Sequence, residues 1–228
     1  MLRLTNEIAN PYQNNRKNWY FFILIVLVLG IFFRFANLDL KLFDGDECIT
    51  SVRAAGRTER SFNSIPRNTI ITPEVIEKLR RIDRQSSIFD TIKVTASGAP
   101  QHTPLFFVLI RNWMQWFGNS ATTMKSFAAF ISLLSFPAIY WLCLELFKSP
   151  AVASMSVALI AVSPVHIIHA QNARPRSLWI LTILLSSAAL LRAIRTSKIR
   201  DWTIYGITLG LSLYTFLFST LVLIAHGI

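Results

Sequence analysis

Apolar positions along this chain come in long blocks and do not alternate with polar ones. The block from Trp19 to Phe35, WYFFILIVLVLGIFFRF, is almost wholly apolar. At 1.5 Å rise per residue it is about long enough to cross a hydrocarbon core once interfacial residues are counted. Comparable blocks run from Met124 to Phe147, Ala151 to Ala170, Leu178 to Ile194 and Trp202 to Ile228. The pattern predicts an all-α integral membrane protein with about five transmembrane helices. A secretory signal peptide is set aside for the first block, because no small-residue cleavage site follows it and further spans do. Arg34, near the end of that block, is expected to snorkel to the interface, and Glu145 to reach it from the second.

Residues 1–18 form a polar tail, and residues 36–122 a long extramembrane segment between the first two spans. Within that segment Thr72 is placed to cap a helix starting at Pro73. Val75, Ile76, Leu79 and Ile82 would share its apolar face, with Lys78, Arg80, Arg81 and Arg84 on the others. Basic residues in this helix, expected to run over 73–93, are expected to face water or anionic headgroups. After Pro104, PLFFVLIRNWMQWFG reads as a second amphipathic, juxtamembrane helix carrying Arg111, with a short or re-entrant span as the alternative.

Composition narrows the class. Of the 228 residues 53% are hydrophobic, the formal net charge is +11 and the pI is near 10.3. The basic residues sit beside apolar blocks and no recognition motif or separate basic domain is present, so no nucleic acid is expected as a partner. The two cysteines, Cys48 in a loop and Cys143 in a span, read as unpaired thiols. Loop charge orients the chain. Arg3, Arg16 and Lys17 in the tail, Lys148 after the second span, and Arg192, Arg195, Lys198 and Arg200 after the fourth fall on one side, expected to be cytoplasmic. The protein is therefore expected in the plasma membrane as a multi-pass protein, with an extracytoplasmic first loop.

That topology gathers three polar pieces on the outer face. The first is LFDGDECIT, residues 42–50, where Asp44, Asp46 and Glu47 crowd together in an otherwise basic protein. The second is His102 in GAPQHTPLF. The third is HIIHAQNARPRS, with His166, His169, Gln171, Asn172, Arg174 and Arg176. Adjacent carboxylates at a membrane surface suit general-base work, since desolvation and mutual repulsion raise one pKa toward neutrality. Arginine forks suit phosphate, and Arg174 and Arg176, in a short outer loop that the charge rule disfavours, ask for a local partner. Together these residues suggest group transfer from a lipid-linked phosphate donor. The residues alone leave bland alternatives open: the acids as helix N-caps near Cys48, the two histidines as an interfacial pair without metal, and His102 as a turn residue.

The run FFRFANLDLKLFDGDECITSVRAAG resembles the first span and following loop of GT-C fold membrane glycosyltransferases, the group of protein O-mannosyltransferases and lipid A aminoarabinose transferases. PQHTPLFFVLIRNWMQWFG is similar to the family's His-Pro-Pro-Leu segment, and SPVHIIHAQNARPRSLW to its Ser-Pro, Ala-Gln-Glu-Ala-Arg pattern. The resemblance starts near residue 19 and covers the N-terminal part of a family enzyme, which usually has roughly twice as many spans. It implies an inverting transfer of a sugar from a polyprenyl-phosphate donor to an acceptor hydroxyl. Asp46 would be the general base with Glu47 beside it. Arg174 would neutralise the donor phosphate, with His102, Gln171, Asn172 and Arg176 as further substrate-binding residues. Two departures stand out: Asn172 replaces the family's Glu, and Thr103 replaces the first Pro after His102. No metal ligand set and no cofactor is assigned, and membrane lipids are the other expected partners. A second reading, motivated by Asn172 and the short span count, is a non-catalytic membrane protein that binds a lipid-linked glycan or a partner subunit. A transporter ranks below both, since no paired interrupted helices suggest an inverted repeat.

Overall fold

The computed structural model describes residues 11–58, 72–82, 86–98 and 102–228. Arg3, Glu7, Arg84 and the Gly98-to-His102 linker positions 99–101 lie outside them. Among the described residues every regular element is a helix, as the long apolar blocks require. The long helices are α1 (Pro11–Phe35), α6 (Ala121–Phe147) and α9 (Arg176–Thr196), each long and apolar enough to cross a membrane. Their outward faces stay apolar: α1 exposes Phe21, Phe22, Leu24, Val28 and Phe32, a surface that only a hydrocarbon solvent or further protein would cover. Pro137 sits inside α6 without ending it.

The third expected span is broken. Helix α7 (Pro150–Val162) and α8 (Pro164–Ala170) meet at a 61° bend at Ser163. Pro164 cannot donate an N–H, so a continuous helix loses its bond there. The fifth expected span is likewise two helices, α10 (Ile199–Leu213) and α11 (Ser219–Gly227). The chain turns between them: Trp179, at the start of α9, donates to Ser219 Oγ at 2.9 Å, whereas His226 lies 3.2 Å from Ser187, further down α9. Helix α11 thus runs back along α9, and Thr215 and Ser219 are buried at the turn, with Ser219 bonded to Ser212.

The first long loop contributes α2 (Gly45–Ala54), α3 (Pro73–Arg80), α4 (Ile88–Gly98) and α5 (Leu105–Phe117). Thr72 and Pro73 open α3 as expected, although the Thr72 side chain makes no capping bond. Among the described residues, the single helix expected over 73–93 is instead divided between α3 and α4. Helix α5 is amphipathic and rests on α2, α4 and α6, burying Phe107 and placing Phe106, Ile110 and Met114 in a core that includes Met124, Phe127, Ile131, Leu178 and Leu181. At 13 residues it spans about 20 Å, short of a bilayer.

Two arginines do not behave as their position in the sequence suggests. Arg111 is fully buried and not interfacial. It donates to Ala54 O at 3.0 Å, Thr91 Oγ1 at 3.1 Å and Ser86 O at 2.6 Å, tying α5 to the end of α2 and the start of α4. Arg34 is 1% exposed and does not snorkel. Both cysteines are free thiols, Cys143 within reach of Ser156 Oγ at 3.2 Å.

Candidate functional site

The acidic loop and the loop after α8 meet at the end of the bundle where α1 finishes. Asp44 stands at the N-cap of α2, where its carboxylate accepts from the Glu47 N–H at 2.7 Å while Glu47 Oε2 accepts from the Asp44 N–H at 3.1 Å. This reciprocal arrangement is a capping box, and it follows from the D-x-x-E spacing itself. Asp44 is therefore a structural cap.

The three acids do not share one site. Glu47 is 1% exposed and its other oxygen accepts from the Ala173 N–H at 2.7 Å, so it stitches the two loops together. Its countercharge is Lys125 of α6, 3.9 Å away and also fully buried. Lys125 in turn donates to Lys41 O at 2.6 Å and Leu42 O at 3.1 Å, holding down the strand of chain that enters α2. A buried lysine near the start of an apolar helix signals such a role, yet nothing in the sequence names its partners.

Asp46 points the other way. Its side chain is 56% exposed and forms an ion pair with Arg174, whose side chain is 23% exposed. Residues 128 apart in sequence are thus joined at one point, and Arg174 has the local partner its loop position demanded. Asn172 and Arg174 lie on the same tight turn, where Arg174 N donates to Asn172 O at 2.8 Å, and Arg176 opens α9 just beyond.

The remaining expected site residues divide. Gln171 is committed to the scaffold: its amide nitrogen donates to Phe33 O at 2.7 Å and Ala36 O at 3.1 Å, and its oxygen accepts from Lys41 Nζ at 3.3 Å. His102 lies against Phe107 and Phe216, at the contact between the start of α5 and the α10–α11 turn. His166 and His169 share the short α8, and no group of three His, Cys, Asp or Glu among the described residues is placed to hold a metal. One basic residue from the first loop comes close to the acids. Arg80 stacks over Phe43 with its guanidinium carbon 4.0 Å from the ring centroid, and burial there lowers its proton affinity. Beside these loops an apolar groove of about 650 Å³, lined by Leu29, Phe33, Leu40, Val162 and Ile168, opens between α1 and α8, with Lys41 and Gln171 at its polar edge.

The site has the composition that chemistry on a phosphate-linked substrate would use: an exposed carboxylate, an arginine beside it, and a buried charge pair beneath. No curated protein and no solved structure matches the chain. A family profile does match residues 101–227, more than half of the sequence, which includes α5 through α11 and Arg174 but not Asp46. The chain belongs to the dolichyl-phosphate-mannose-protein mannosyltransferase family, membrane glycosyltransferases of the GT-C type.

Proposed function

We propose that this chain provides the catalytic carboxylate and the phosphate-compensating cation for transfer of a sugar from a polyprenyl-phosphate donor to an acceptor hydroxyl, on the extracytoplasmic side and with inversion. The observation that carries this reading is the contact between Asp46 and Arg174, an exposed acid and a partly exposed arginine brought together from distant loops. An exposed ion pair is weak, so substrate can separate it at little cost.

In the proposed step, the Asp46 carboxylate takes the proton of the acceptor hydroxyl as its oxygen attacks the anomeric carbon. The bond from that carbon to the phosphate oxygen breaks on the opposite face, and the electron pair leaves with the polyprenyl phosphate. A phosphate leaves readily without a strong acid, and Arg174, released from Asp46, offsets its charge. Inversion needs one base and no covalent sugar intermediate. Glu47 acts beside Asp46 by fixing α2 against the Ala173 backbone, and Asn172 and Arg176 flank the phosphate side.

Asp46→Asn in native membranes, supplied with a polyprenyl-phosphate sugar, is expected to lose transfer by about 10²- to 10⁴-fold, the range for a general base, with insertion unchanged. Retained transfer overturns the assignment.

A further inference from the structure

Arg34 is a buried cation for which no acid lies within ion-pair distance among the described residues. Its donors go to backbone oxygens: Ala161 O at 2.5 Å, Gly30 O at 2.8 Å and Ile160 O at 3.0 Å, with Nε donating to Ser132 Oγ at 3.1 Å. The guanidinium also lies 4.8 Å from the Phe136 ring centroid. The identity of the two α7 carbonyls explains the arrangement. Ile160 O is the acceptor that residue 164 would serve in an unbroken helix, and residue 164 is proline. Ala161 O loses its helical partner at the same bend. A carbonyl stranded inside a bilayer must find a donor within the protein, and the negative end of a helix favours a cation there.

The neighbouring helix is shaped to bring that donor. A Cβ on Gly30 would meet Ala161 O at 2.5 Å, so glycine alone lets α1 come close enough for Arg34, one turn on, to reach across. The last turn of α1 also holds the far end of α8, because Phe33 O and Ala36 O accept from Gln171. Two residues beyond Gln171, Ala173 bonds Glu47, and Arg174 pairs with Asp46.

We infer that Arg34 is a positioning residue: it stabilises the bend between α7 and α8 by replacing the donor that Pro164 lacks, and so sets where Arg174 stands against Asp46. Its bearing on catalysis rests on the proposed transfer reaction, but the geometric claim does not.

The test is thiol bridging in native membranes by a bifunctional reagent whose spacer matches the reach of an arginine–carboxylate pair, with Cys48 and Cys143 replaced by serine. The pair Asp46→Cys with Arg174→Cys reports the site. The pair Glu145→Cys with Arg195→Cys, at the other end of α6 and α9, reports the rest of the bundle. Arg34→Met is expected to cut site bridging by about tenfold or more, the scale of losing charged hydrogen bonds to buried carbonyls, and to leave the other pair unchanged. Gly30→Ala, which keeps the charge but pushes α1 off α7, is expected to do the same. Site bridging that persists in Arg34→Met overturns the inference. If Arg34→Met loses both pairs, Gly30→Ala decides: unchanged site bridging overturns the inference, and selective loss supports it. Because no sugar transfer is read, the outcome does not depend on the proposed reaction, whose own failure would show instead as retained transfer in Asp46→Asn.

Discussion

The two ends of the helical bundle use charge in different ways. At the end opposite the candidate site, Glu145 of α6 meets Arg195 of α9 at 2.5 Å and Lys148 at 3.3 Å, and Asp201 takes bonds from Thr196 at 2.6 Å and Arg192 at 3.3 Å. These pairs join side chain to side chain at helix ends, and their cations are about half exposed. At the site end, Lys125, Arg34 and Arg111 are buried and bond mainly to backbone carbonyls, each where a helix stops or a loop enters. Charges at the far end decorate regular structure. At the site end they hold irregular structure in place, and the exposed Asp46–Arg174 pair stands on that support.

Lys125→Met should give the largest effect on stability. It strands Glu47 as a buried acid, which costs about 3 kcal/mol or more, measured as denaturant unfolding in detergent. An unfolding curve that does not move would mean the site end is no more dependent on buried charge than the other. Glu47→Gln keeps an oxygen for the Ala173 N–H but gives up the ion pair and its bond from Asp44 N–H. A smaller loss of about 1–2 kcal/mol is expected in the same assay. Arg195→Ala, at the far end, should cost under about 1 kcal/mol, since its partner keeps Lys148 and half-exposed pairs contribute little. A larger cost there than for Glu47→Gln would reverse the contrast.

The smallest effect concerns Cys48, one position from Glu47. Burial raises its thiol pKa and the positive charge of Arg80 partly offsets the rise. A raised pKa means less thiolate at neutral pH, so maleimide labelling in a Cys143→Ser background should be slow at pH 7 and keep accelerating beyond the ordinary thiol range. Arg80→Gln removes the offset and should move that acceleration to still higher pH. Labelling that is already maximal near neutrality would show an open, unsupported α2.

How far the sequence could be read follows the same division. Apolar blocks announced the membrane helices because their signal is local: each helix advertises its own solvent. The capping alternative left open for the acids holds for Asp44, and Arg174 has the local neighbour it asked for. Bonds between distant residues and a backbone group were not legible. A carbonyl has no letter in the sequence, so Arg34 and Arg111 read as interfacial, and nothing in the sequence showed that these two and Gln171 bond main-chain oxygens. Proline was the available clue at Ser163–Pro164, since each one marks an acceptor four residues earlier that needs a new donor. The break within the last block carries no proline, and it lies where the Trp179 indole N–H and the buried Ser212 and Ser219 hydroxyls bond one another.

The reach of Arg34 also has a meaning in time. Its acceptors on α7 lie 126 and 127 residues further along the chain. At roughly 5–20 residues per second, the nascent first helix waits on the order of ten seconds before Ile160 and Ala161 exist. Until then a long cationic side chain at a helix end is expected at the headgroup region. The residue is therefore expected to have two homes in sequence, first the headgroup region and then the α7 bend, and the second becomes available only once the chain that needs it has been made.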